Sequence, residues 1–229
     1  MKKTAILFPS LLLTTLLLAT AACNPRSAPT PEPKPPARAN EAVAQSTPTG
    51  PQAFDYYLLN LSWSPEFCYS HSDKPECAQH LAFVLHGLWP QNTDGTYPQN
   101  CSDAPGPANP AQYADIYPDP GLLQHEWKTH GTCSGLPPDA FFNAARKAVQ
   151  AVKIPPTLTQ LDHQISLPPG QILGLFTAVN PEIPSASLAL SCGNNYLTAV
   201  EVCLDKKLAP TQCGPIRSCR ANTVRIPPP

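Results

Sequence analysis

The sequence predicts an α+β domain in which a mainly antiparallel sheet packs with several helices and is held by disulfides. Strand-like segments rich in aromatic and aliphatic residues stand at both ends of the folded part, and segments with helical spacing lie between them. Nine cysteines occur, eight of them within the folded part, in a chain that opens like an exported protein.

Residues 1–22 carry Lys2 and Lys3, then an apolar run, then small residues, the pattern of an export signal. Ala21-Ala22-Cys23 suits a bacterial lipoprotein site with lipid on Cys23, and a plain cut after Ala21 is the alternative. Residues 23–52 are rich in Pro, Ala, Ser and Thr and lack the apolar residues needed for a core, so they read as a tether or a dispensable spacer. The expected location is periplasmic, secreted or lipid-anchored to a bacterial envelope membrane. Residues 53–229 have the length of one domain.

Within that domain, residues 54–63 alternate as a strand and meet a turn signal at Ser64-Pro65. Residues 81–88 form a continuous apolar run, read as a buried strand ending near His86. A polar loop lies between Cys68 and Cys77. Helical spacing follows at 121–130, at 139–152 with Phe142, Ala145, Val149 and Val152 as its stripe, and at 171–179. Residues 187–192 and 196–204 read as strands joined by the Gly193-Asn194-Asn195 turn.

Lys and Arg number 15 against 16 Asp and Glu, for a formal net charge of −1. This excludes the broad basic footprint of proteins that hold long nucleic acids by counterion release. A nucleic-acid contact in this chain is expected to be a small cleft around one or two nucleotides.

Chemistry concentrates in Phe83-Val84-Leu85-His86-Gly87-Leu88-Trp89-Pro90 and His125-Glu126-Trp127-Lys128-Thr129-His130-Gly131-Thr132-Cys133. Three imidazoles and a carboxyl suit phosphodiester cleavage by proton transfer. One group takes a proton from a ribose 2′-hydroxyl, another gives one to the leaving 5′-oxygen, and imidazole with a pKa of about 6.5 does either near neutrality. A zinc-protease motif needs imidazoles at i and i+4. Here they are at i and i+5, about 140° apart on a helix, which argues against a metalloprotease. His71, His80 and His163 lack patterned neighbours and are assigned to loop or surface. Trp89 reads as a core anchor or a nucleobase platform, and Trp127 as core.

The two motifs resemble the active-site segments of the ribonuclease T2 family, and the likeness continues through Asp94-Gly95-Thr96-Tyr97-Pro98-Gln99-Asn100-Cys101 and Ser62-Trp63-Ser64-Pro65-Glu66-Phe67-Cys68. The resemblance implies an endoribonuclease acting on single-stranded RNA through a 2′,3′-cyclic phosphate, without metal or cofactor. DNA is excluded because it lacks the attacking hydroxyl. It implies His130 as general base, His86 as general acid, His125 as a phosphate ligand and Glu126 as a transition-state stabiliser. Trp89 and Tyr97 would sandwich a base and Gln91 would read its edge. The implied disulfides are Cys101–Cys133, Cys192–Cys219 and Cys203–Cys213, leaving Cys68–Cys77. A monomer is expected.

The chain departs from the family pattern at Thr129, where lysine is usual, while Lys128 stands one position earlier, about 100° away around a helix. An active but slowed enzyme is expected. The alternatives are a catalytically weakened RNA-binding or signalling protein on the same scaffold, and a structural envelope lipoprotein.

Overall fold

The structure is a computed structural model that describes residues 53–229 except 217. The export signal at 1–22, the tether at 23–52 and Cys23 lie outside the described residues. The elements in chain order are β1 (Tyr56–Trp63), α1 (Ser64–Ser70), β2 (Phe83–Gln91), α2 (Pro120–Thr129), α3 (Pro138–Gln150), α4 (Pro156–Thr159), β3 (Ile165–Leu167), α5 (Pro169–Val179), β4 (Leu188–Gly193), β5 (Tyr196–Leu204) and β6 (Val224–Ile226). No helix among them is long and apolar enough to cross a membrane.

All five α-helices among the described residues have proline in their first turn. The missing N–H costs nothing there, because the first amides of a helix have no intrahelical acceptor. This corrects the reading of Ser64-Pro65 as a turn. The strand does end there as expected, but the same proline opens α1, which carries helix through Cys68 to Ser70 at the start of the expected Cys68–Cys77 loop. In β2 the strand runs on through Pro90, which is tolerated because β2 is the edge of the sheet.

The sheet order is β2-β1-β5-β6-β3, with β4 paired to the other side of β5. Every pairing is antiparallel except the brief parallel contact of β5 with β6 at Tyr196 and Arg225. Strands β3 and β6 went unread in the sequence. Each has three residues and exists by pairing with a partner far along the chain.

One face of β1 buries Tyr57, Leu59, Leu61 and Trp63 against helices that contribute Leu123, Trp127, Phe141, Phe142, Ile172 and Phe176. In α3 the buried stripe is Phe141, Phe142, Ala145 and Ala148, slightly rotated from the expected one, with Val149 only half-buried. The opposite face carries Tyr56, Leu58 and Cys203 beneath Trp89. The disulfides are Cys68–Cys77, Cys101–Cys133, Cys192–Cys219 and Cys203–Cys213. In exported proteins such bonds contribute roughly 2–4 kcal/mol each.

Candidate active site

The site forms where β2 meets the end of α2. Along β1 and β2, Asn60 faces Gly87 but Leu61 faces Leu85, so His86 is the extra residue of a β-bulge. A bulge breaks strict alternation. It lets His86 join the face of the sheet that already carries Gly87 and Trp89. Ser62, on the neighbouring strand, places its Oγ 3.2 Å from His86 Nδ1. The other ring nitrogen, Nε2, is then 3.7 Å from Glu126 Oε1.

Asp119 caps α2 by accepting from the Gly121 amide at 2.7 Å. The helix ends at Thr129, and His130 is its C-terminal capping residue with φ −117° and ψ −45°. The His130 amide still donates to Glu126 O at 3.0 Å, so the residue continues the helical turn, and its ring stands 6.4 Å from that of His125. One ligand atom from each of His125, Glu126 and His130 lies within 4.8 Å of the others. These groups are close enough to hold a metal ion, although their spacing is not that of a zinc protease.

Glu126 is at the centre of the cluster and fully buried, and Trp89 Nε1 donates to its Oε2 at 2.8 Å. Burial pushes the carboxyl up to about 8, although the indole hydrogen bond pulls the other way. Its Oε1 has no hydrogen-bond partner among the described residues. The ring of His130 stacks on Trp89 with centroids 5.1 Å apart and 27° between planes, while His86 meets the same indole edge-on at 5.2 Å. Burial, then the neighbouring His125 and His86, pull His130 down to about 4. Burial, then His125, also lowers His86 below its usual range.

Two glycines make this packing feasible. A Cβ on Gly87 would land on Glu126 Oε2 and Trp89 Nε1 and come within 2.7 Å of Glu126 Cδ. A Cβ on Gly131 would collide with Trp127 and approach Phe141 Cδ1 at 3.1 Å. Trp127 is core as expected, 5% exposed, and its indole donates to Ala104 O at 2.7 Å. The Cys101–Cys133 bond fastens the turn after His130 to the loop beyond β2.

A family model, the Ribonuclease T2 family, matches residues 54–213. The chain belongs to the ribonuclease T2 family. Among curated relatives it is similar to "Ribonuclease" of Aeromonas hydrophila, 48% identical over 94 residues that make up 40% of this chain and 43% of the relative. It is also similar to "Probable ribonuclease" of Haemophilus influenzae, 31% identical over 179 residues, or 69% of this chain and 61% of the relative. The chain thus spans about half the length of the curated relatives it matches. Among solved structures, an RNase-related protein from Calystegia sepium superposes with a TM-score of 0.63 at 22% identity, covering 77% of this chain and 98% of its own. RNase NT in complex with 5′-AMP gives 0.58 at 21% identity, covering 77% of this chain and 100% of its own. These likenesses establish the fold.

Within this T2 fold, His125 is exposed and opens on a cleft of about 400 Å³ shared with Ser62, His71, Lys74, His86 and Asp119. Of these, Ser62, Lys74 and Asp119 have no role in the sequence reading, which assigns His71 to loop or surface. Ser62 follows a strand pattern without a chemical signature, and His71 and Lys74 arrive from a polar loop that looks generic. Lys74 is tied to Asp119 at 3.2 Å. Of the residues implied for base recognition, Tyr97 is 53% exposed and Gln91 is 7% exposed. Trp89 is half-buried, engaged by His130 on its ring and by Glu126 at its N–H. Thr129 is half-buried, and Lys128 instead lines a separate cavity with Trp127 and the 102–110 loop.

Proposed function

We propose that this chain is an endoribonuclease that cleaves single-stranded RNA by transphosphorylation to a 2′,3′-cyclic phosphate, which water then opens. The observation that carries this reading is the gathering of His86, His125 and His130 around the buried carboxyl of Glu126, with Trp89 packed against both His86 and His130.

His130 acts as the base, because its depressed pKa keeps it neutral and able to accept the 2′-hydroxyl proton under mildly acidic conditions. His86 acts as the acid and delivers a proton to the 5′-oxygen. Glu126, raised to about 8, is protonated at the working pH and can donate from Oε1 to the oxygen on which charge develops. His125, exposed at the mouth of the cleft, binds the phosphate. Trp89, Tyr97 and Gln91 contact a base. No step calls for a metal ion, and DNA is refused for want of the 2′-hydroxyl.

Four disulfides support an oxidising compartment, hence export, with 1–22 as the signal and 23–52 as a tether. A relative 33% identical over 103 residues is named Extracellular ribonuclease LE, from Solanum lycopersicum. Lipid attachment at Cys23 would hold the domain at a membrane, and the domain acts as a monomer.

Mass spectrometry of products from a defined oligoribonucleotide tests this reading. Cyclic-phosphate ends are expected from the wild type in the presence of EDTA, and none from folded His86→Ala or His130→Ala. Cleavage of the all-deoxy analogue, or full activity in either variant, would refute it.

A further inference from the structure

Helix α1 separates two cavities. Phe67 and His71, four residues apart on one face, line the cleft that holds His86 and His125. Pro65 and Tyr69, four apart on the opposite face, line a second cavity of about 370 Å³ with Glu66, Gln164, Asn194 and Tyr196. A single helix, about 10 Å across, lies between them.

The second cavity is built of groups that the proposed reaction does not use. The Tyr69 ring is 94% exposed, an unusual position for so large an apolar surface. The Arg225 guanidinium lies 4.7 Å from the Tyr196 ring centroid and donates from Nη1 to the tyrosine oxygen at 3.1 Å. Asn194, held at a positive φ of 51° in the β4–β5 turn, and Gln164 present exposed amides. Aromatic rings beside a guanidinium, with amides at hand, make a surface on which unpaired bases stack while the cation meets the backbone. The near-neutral chain has no basic stripe along which a strand could run, so its grip beyond the reacting nucleotides must come from a discrete patch of this kind.

We propose that the cavity between Tyr69 and Tyr196, with Arg225 packed on Tyr196 beside it, is an auxiliary site that holds a nucleotide of the same RNA strand after it has crossed α1 from the reactive cleft. This rests on the ribonuclease reading and assigns the site to substrate length. Long single strands engage both cavities and dinucleotides only the first. Tyr69 and Arg225 are binding residues that touch no reacting atom.

The test is fluorescence anisotropy with a non-cleavable 2′-O-methyl oligoribonucleotide long enough to cross α1, beside the corresponding dinucleotide, followed by steady-state kinetics on cleavable versions of both. Tyr69→Ala and Arg225→Gln should each weaken binding of the long ligand about tenfold and raise its KM with kcat unchanged. The dinucleotide should be unaffected, and Tyr69→Phe should restore the long ligand. Unchanged affinity for the long strand, or equal weakening of both ligands, would overturn the proposal. Wild-type binding that depends on Tyr69 without any cleavage would refute the nuclease reading and leave this site standing. Cleavage that is indifferent to Tyr69 and Arg225 would do the reverse.

Discussion

The indole N–H of Trp89 donates to Glu126 Oε2 at 2.8 Å, and the bare Cα of Gly87 fits beside this pair. The hydrogen bond orients the carboxyl so that its other oxygen faces His86 Nε2 at 3.7 Å.

Gly87→Ala should therefore damage the site without unfolding the chain, because the new methyl would displace the tips of two side chains. A loss in kcat/KM of about a hundredfold is expected, the scale on which a misplaced catalytic group costs rate. RNA-cleavage kinetics beside a circular-dichroism melt would check it, and near wild-type activity would mean that Glu126 relaxes without consequence.

The pH profile should be bell-shaped and acidic. Activity rises as His130 loses its proton near pH 4 and falls as His86 loses its own below its ordinary 6.5. Because these groups interact, the two limbs belong to the cluster as a whole. A profile of kcat/KM against pH that peaks above neutrality would contradict this assignment.

Stability should reveal Glu126 separately. Its pKa is raised from 4.5 to about 8, so the folded chain keeps a proton that the unfolded chain releases. The stability linked to that proton is complete below about 4.5 and is lost as pH rises through about 8. Glu126→Gln removes the dependence. The variant should gain on the wild type as pH rises from 5 to 8.5, by about 2 kcal/mol at pH 7. Urea melts at several pH values would measure it, and a difference that does not vary with pH would be the contrary result.

Thr129→Lys should accelerate cleavage. Position 129 is four residues after His125 on α2 and shares its face, whereas Lys128 belongs to the cavity beside Trp127. An added ammonium there can stabilise charge on the phosphorus oxygens. A gain of up to about a hundredfold in kcat is the scale of one such donor. If the variant is no faster, the unmodified site already supplies that stabilisation.

Much of the fold was legible because local patterns are strong where burial is continuous. Strands β1 and β5 and helices α3 and α5 declared themselves by spacing. Helix α1 did not, since the Ser64-Pro65 pair that ends a strand also begins a helix and only the surrounding packing decides between them. The short strands β3 and β6 have no pattern of their own and depend on pairing with one another. At the site, His86, Glu126 and His130 stood out through their dense neighbourhoods, while Ser62 and His71 did not.

The sequence by itself determined which groups could act: three patterned histidines, one carboxyl and the glycines that leave them room are identities, and identities are local. Only the tertiary structure decided how they meet. The bulge at His86, the end of α2 at Thr129 and the burial of Glu126 all arise from contacts between segments far apart in the chain. Those contacts set distances and local dielectric, and with them the proton affinities on which the proposed chemistry depends.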